Sequence, residues 1–314
     1  MERLLVLLAR ALIALLQTLP LTWVARLGRA GGAVAYALDA RHRKVAVENL
    51  RQCFGAEMSP AAIRRLAREN FRRIGENFAC AARTAAMSAD EIQKILTFTG
   101  AERVGATGAE SGRGGLAAIG HFGNFELYAR ANLFVPGFQM ATTYRALRQP
   151  GLNRLLQDLR ERSGCLYFER RSEAQALREA MNTRRIMLGL LADQHAGDRG
   201  LPVPFFGREC STSAAPAVLA LRYHCPLHVA ICHRTGLARW HVEIGEAIAT
   251  TRDGQPRPVE DIARDMNVAY EAAVRRDPAN WFWVHRRWKP VQRRPRRPPS
   301  AETAALQPFT EDAE

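Results

Sequence analysis

The sequence contains no Cys-x-x-Cys pair and no cysteine and histidine at zinc-finger spacing. Cys53, Cys80, Cys165, Cys210, Cys225 and Cys232 lie far apart. The usual structural zinc sites are thereby excluded, and so is the disulfide framework of a small secreted domain. Reduced, buried thiols in a cytosolic setting are the expectation. His195, His224, His228, His233 and His241 lack a partner at ligand spacing, so no metal site is predicted. Equally absent are a glycine fingerprint for a dinucleotide or a P-loop, a Gly-x-Ser-x-Gly nucleophile elbow and any internal repeat. The Gly112-Arg113-Gly114-Gly115 segment precedes an apolar run and reads as a turn.

Negative charge is also in short supply, with 31 Asp and Glu against 45 Lys and Arg, a net charge of +14 over 314 residues. So basic a surface implies anionic company: nucleic acid, phospholipid headgroups or an acidic carrier protein. The arginines are spread over several helices and the tail, with no helix-turn-helix, RNA-recognition motif or zinc finger, which argues against nucleic acid.

The most apolar stretch, residues 1–25, is interrupted by Arg10, Gln17 and Pro20. An arginine at a bilayer centre costs roughly 2.5 to 3.5 kcal/mol on insertion scales, whereas at an interface it can snorkel to headgroups. The expectation is therefore a membrane-anchoring helix lying in one leaflet, with a single-pass helix, a signal peptide and a buried soluble helix as alternatives. The Arg41-His42-Arg43-Lys44 cluster suits anionic lipid on the cytoplasmic side.

From Ser59 to Ala86, Ile63, Leu66, Ala67, Phe71, Ile74 and Phe78 recur at helical spacing, with arginines between them and Ser59-Pro60 as a capped start. Beyond residue 112 short apolar runs at 114–120, 138–144, 165–169, 186–192 and 226–232 alternate with helix-like stretches near 125–134, 150–163, 172–183 and 212–224. This alternation predicts an α/β fold with a central, mostly parallel sheet flanked by helices. The predicted organisation is an anchor at 1–25, one catalytic domain at 26–290 and a basic, then polar, disordered tail at 291–314.

In open α/β sheets ligands bind at the carboxyl ends of strands. Two runs end in chemistry-bearing residues, His121 after the first and Asp193 with Gln194 after the fourth. Imidazole suits the task of making a hydroxyl nucleophilic, and a carboxylate on its other nitrogen fixes the tautomer. In Gly120-His121-Phe122-Gly123-Asn124-Phe125-Glu126, five helical residues would turn through roughly 500°. His121 and Glu126 can therefore converge only if Gly123 and Asn124 make a turn, and these two turn residues are themselves candidates for contact with substrate. Arg145, Arg170 and Arg171 follow strands and are candidates for a substrate phosphate or carboxylate, with structural ion pairing as the alternative. Asp193 and Gln194 hold a substrate polar group or cap the loop. Phe205 and Phe206 are read as core, or as lining an apolar channel.

The Gly-His-Phe-Gly-Asn-Phe-Glu segment resembles the His-x4-Asp/Glu motif of glycerolipid acyltransferases, specifically the bacterial lipid A late acyltransferases, whose form is His-Phe-Gly-Asn-Trp-Glu; here Phe125 replaces the Trp. Further segments are similar to the same family in the same order: Asn49-Leu50-Arg51-Gln52-Cys53-Phe54, Thr143-Tyr144-Arg145, residues 186–195, Val203-Pro204-Phe205-Phe206-Gly207 and Trp283-Val284-His285-Arg286-Arg287-Trp288-Lys289. The resemblance implies an inner-membrane enzyme on the cytoplasmic face that moves a fatty acyl chain to a hydroxyl of a phosphorylated lipid A precursor. Acyl carrier protein or coenzyme A thioester would be co-substrate, with no further cofactor. It implies His121 as general base with Glu126 as its partner. The same chemistry on a lysophospholipid, phosphatidylinositol mannoside or ornithine-type lipid is the alternative, and a non-catalytic membrane scaffold is a second.

Overall fold

The computed structural model describes residues 2–104 and 114–291. The tail expected from 291 onward, and Gly112 and Arg113 of the expected turn, lie outside the described residues apart from position 291. The chain opens with α1 (Glu2–Thr18), α2 (Leu21–Leu38), α3 (Ala40–Phe54), α4 (Pro60–Thr84) and the short α5 (Ala89–Gln93). The apolar stretch expected as one helix over 1–25 is thus divided, with Pro20 standing just before α2. Proline has no N–H to donate and its ring collides with a preceding helical turn, so it belongs at a start. No described helix is long and apolar enough to cross a membrane.

α1 buries no residue, and Leu4, Leu5, Leu7, Leu8, Leu12 and Leu15 are exposed on it. At 100° per residue these six fall within an arc of about 160°, with Arg3 and Arg10 along one edge. α2 packs on α4, where Gly28, Gly32 and Gly75 allow an approach so close that a Cβ at any of them would press into the facing backbone. α4 starts as the sequence suggests, the Ser59 side chain accepting from the Ala62 amide and Pro60 at its first turn. Phe78, which the periodicity puts on the buried stripe, is 53% exposed. Its ring instead lies edge-on to Phe125 and Phe282.

Strands β1 (Leu96–Thr99), β2 (Gly115–Ile119), β3 (Gln139–Tyr144), β4 (Leu166–Glu169), β5 (Ile186–Leu191), β8 (Leu227–Gly236) and β9 (Arg239–Ile248) form one sheet in the order β1-β9-β8-β2-β5-β3-β4. From β8 to β4 the neighbours are parallel, while β9 runs antiparallel to β8 and parallel to β1. β6 (Leu201–Phe205) and β7 (Arg208–Thr212) make a separate hairpin whose two loop residues, Phe206 and Gly207, both have positive φ, the primed geometry that matches strand twist. A minor hairpin, β10 (Thr251–Arg252) with β11 (Gln255–Pro256), follows.

Helix α6 (Pro150–Glu161) packs on α1, while α7 (Ala174–Thr183), α8 (Ala215–Tyr223) and α9 (Val259–Arg276) pack on the sheet. The stretch expected as a helix near 125–134 is a 3-10 helix, Phe125–Leu133. Alternate residues of one strand serve opposite layers. Leu116 and Ala118 join the core with α9, through Ile262, Met266 and Tyr270, while Ile119 joins the core containing Leu127 and Ala129 of the 3-10 helix. Because both faces are covered, these strands read as continuous apolar runs instead of alternating ones.

Candidate active site

β2 and β5 lie side by side with Ile119 opposite Leu191. The same register, continued two residues, brings His121 beside Asp193 at the carboxyl edge of the sheet. The two are bonded twice: the His121 amide donates to Asp193 Oδ2 at 2.9 Å, and His121 Nδ1 lies 2.8 Å from Oδ1. Trp281 Nε1 donates to Oδ2 at 2.8 Å. Asp193 is 1% exposed. Burial alone would raise its pKa, but the His121 charge and the hydrogen bonds from His121 and Trp281 hold it below the ordinary carboxylate value. With Nδ1–H given to the carboxylate, the neutral His121 ring carries its lone pair on Nε2.

The sequence expectation that Glu126 is the partner of His121 is corrected by this geometry. Glu126 instead binds Arg160 of α6 through both oxygens, Nη2 to Oε1 at 2.6 Å and Nε to Oε2 at 3.1 Å. Burial opposes the charge of Arg160, yet Glu126 raises its pKa, and the guanidinium lies 5.1 Å from the Tyr167 ring centroid. Gly123 does form the expected turn, at φ +51°, and a Cβ there would strike the Cys232 carbonyl. Asn124 was expected to contact substrate; it is 1% exposed with neither side-chain polar atom partnered, so it lies behind the turn. Asp193 likewise has its carboxylate occupied by His121 and Trp281 and is not presented to a substrate.

His121 lines a cavity of about 850 Å³ between the sheet and the 3-10 helix. Its floor includes one row read straight across the strands: Tyr167, Thr142, Gly189, Ala117 and His228. Ala117 and Gly189 occupy the middle of that row, where their small size leaves room for a chain-like ligand. The wall continues through Phe98, Val104, Val242 and Ile244, while Arg145, Arg160, Arg170 and Gln194 supply polar groups. Arg145 and Arg170 follow the adjacent strands β3 and β4, whose ends are joined by the Arg170 amide donating to the Tyr144 carbonyl at 3.1 Å. Phe205 and Phe206 lie elsewhere, packed with Trp281, Trp283 and Trp288.

Two other side chains of nucleophilic type, Cys165 and Ser211, are poorly prepared. Burial pushes the Cys165 thiol up to about 12, and the buried Ser211 hydroxyl donates to the Gly197 carbonyl at 2.5 Å. Neither is activated.

Residues from distant parts of the chain hold this edge in place. Tyr270 of α9 donates to the Ile119 carbonyl at 3.1 Å. The Gly123 amide donates to the Asn280 carbonyl at 3.1 Å, and Phe122 and Trp281 form an antiparallel bridge. Asn49 of α3 donates to the carbonyls of Trp283 and His285 at 2.9 and 2.7 Å. The fully buried Arg287 reaches the Ser211 and Gln194 carbonyls, Thr212 and Asn267. Arg160 and Trp281 carried no sequence signal of their own, whereas Asp193 was visible as a strand-end residue but not as the neighbour of His121.

No curated protein matches the chain. A family model described as bacterial lipid A biosynthesis acyltransferase matches residues 1–290, all of the polypeptide that builds the sheet, the cavity and the segment closing over His121. The chain therefore belongs to the bacterial lipid A biosynthesis acyltransferase family.

Proposed function

We propose that this protein transfers a fatty acyl chain from an acyl carrier protein thioester, or from acyl-coenzyme A, to a hydroxyl of a phosphorylated lipid A precursor. The observation that carries the reading is the His121–Asp193 pair at the wall of a large, mainly apolar cavity. His121 Nε2 takes the acceptor proton as the acceptor oxygen adds to the thioester carbonyl. Asp193 steadies the imidazolium that forms. Collapse of the tetrahedral adduct breaks the carbon–sulfur bond, and the departing thiolate recovers the proton from His121. Amides at the start of the 3-10 helix are the natural oxyanion donors.

Glu126 acts through Arg160 in this reading, holding a fixed guanidinium beside the cavity. Arg145 and Arg170 are suited to acceptor phosphates, which match a planar fork of donors. The net charge of +14 suits both an acidic carrier protein and an anionic lipid surface. The exposed leucine arc of α1, edged by arginines, supports an anchor resting in one leaflet of the inner membrane on its cytoplasmic face.

The test is acyl transfer from radiolabelled dodecanoyl-acyl carrier protein to tetra-acylated lipid A precursor in detergent micelles, with His121→Ala as control. Transfer that disappears with His121→Ala is expected. Undiminished transfer by that variant would overturn the reading.

A further inference from the structure

The hydrogen bonding of Asp193 places a third residue in the reaction machinery, and the argument rests on the reading of His121 and Asp193 as base and partner. We propose that Trp281 is a positioning residue, its indole N–H fixing the Asp193 carboxylate so that the imidazole of His121 is held in register and in one tautomer.

A carboxylate removed from water needs its lone pairs satisfied by donors. Asp193 Oδ1 takes the His121 ring, and Oδ2 takes the His121 amide and the Trp281 indole. Two of the three donors belong to His121 itself and move with it. Trp281 is thus the donor that ties the carboxylate to something outside the pair. It is itself immobilised, 1% exposed, with its ring centroid 4.7 Å from Trp283 and 5.4 Å from Phe205. Its carbonyl accepts from the Asn70 side chain of α4 at 2.5 Å. The residue before it accepts from the Gly123 amide, and its own backbone bridges Phe122. One segment therefore fixes both partners, the turn bearing His121 through its main chain and the carboxylate through its indole.

The other titratable groups around Asp193 are Tyr128 from the 3-10 helix, Tyr270 from α9, and His285 and Arg287 from the closing segment; His195 lies two residues along its own loop. Burial pushes both tyrosines well above their usual range, and it pushes His285 down to about 4. Near neutral pH the two tyrosines and His285 therefore stay uncharged. Removing one donor makes the carboxylate more basic, and the pair then retains its added proton to higher pH.

The experiment compares Trp281→Phe with Trp283→Phe. The second indole sits in the same aromatic cluster but donates to the Pro278 carbonyl at 2.6 Å, so its variant loses similar packing without touching Asp193. The ring of His121 is followed by NMR through ¹³Cε1 labelling from pH 4 to 9, with its signal assigned by absence in His121→Gln. The expected result is an upward move of the His121 titration midpoint by about half a pH unit or more in Trp281→Phe only. In the dodecanoyl-transfer assay Trp281→Phe should lose about tenfold in kcat with little change in KM, and the acid limb of its rate profile should move the same way. A midpoint unmoved in Trp281→Phe, or moved equally in Trp283→Phe, overturns the inference. Because the titration needs no substrate, it distinguishes this failure from failure of the acyltransferase reading, which would appear as absent transfer by the wild type.

Discussion

The pairing of His121 with Asp193 and not with Glu126 separates two substitutions that the motif alone would rank the other way. Asparagine at 193 keeps the shape of aspartate but offers one acceptor atom and one NH2 group to three donors, the His121 amide, His121 Nδ1–H and Trp281 Nε1–H. Whichever way the amide is turned, a donor meets a donor. The least costly escape places the NH2 against Nδ1, which shifts the ring proton to Nε2 and removes the lone pair that would take the acceptor proton. Loss of the right tautomer in a comparable triad costs about 10⁴-fold. At 1.36 kcal/mol per tenfold, a fall of about 10³ to 10⁴ in kcat corresponds to about 4 to 5.5 kcal/mol on the barrier. Glutamine at 126 keeps one carbonyl for Arg160 and loses the second hydrogen bond and the charge, but both side chains are partly exposed and the NH2 can turn to water, so the loss is about 1 to 2 kcal/mol, or about 5- to 30-fold. Single-turnover acyl transfer at saturating acceptor, with thermal unfolding of each variant as a folding control, measures both. If Glu126→Gln were the dead enzyme and Asp193→Asn stayed within tenfold of wild type, the partner assignment would be refuted.

Other consequences concern stability, chain length and the membrane. Burial lowers the His285 imidazole to about 4 from an unfolded value near about 6.5. The unfolded chain therefore binds this proton first, and folding stability should fall as pH drops from about 6.5 to about 4, then level. The gap corresponds to about 3 kcal/mol before partial solvent screening, and urea melts at pH 7 and pH 4.5 should show His285→Asn losing less than wild type. At Gly189 an added Cβ meets Ile119 Cδ1 at 3.3 Å and little else. Valine there should narrow the cavity and shift the preference between decanoyl and tetradecanoyl donors at least about tenfold toward the shorter one, given about 0.8 kcal/mol per excluded methylene. Leu8 and Leu12 are 59% and 56% exposed. Replacing both with Gln should weaken flotation with anionic vesicles by about tenfold or more, with an unchanged melting temperature.

Much of the architecture is legible in the chain because a sheet covered on both faces leaves uninterrupted apolar runs, and each of the five runs became a strand within a residue or two, apart from β8, which extends to Gly236. β9 was missed because polar residues interrupt it, Trp240, Val242 and Ile244 being buried between His241, Glu243 and Gly245. The 3-10 helix read as an α-helix because its composition suits either. At the site, His121 and Asp193 were visible one at a time as strand-end residues. Their contact depends on β2 lying next to β5, a pairing between strands about seventy residues apart that local pattern does not encode. Glu126 is the partner that the His-x4-Glu resemblance implies. Its true neighbour, Arg160, lies on α6 and is brought in only by tertiary packing.

The closing segment has a consequence for how the enzyme comes into being on the ribosome. The carboxylate beside His121 is bonded by Trp281, and Asn49 near the other end of the chain is bonded by Trp283 and His285. A nascent polypeptide that has completed the leucine-bearing α1 and its entire sheet still lacks the segment that holds Asp193 beside His121. Synthesis must therefore run at least to Trp281 before the Asp193 carboxylate gains the donor that fixes it, so the site is completed by some of the last described residues to leave the ribosome.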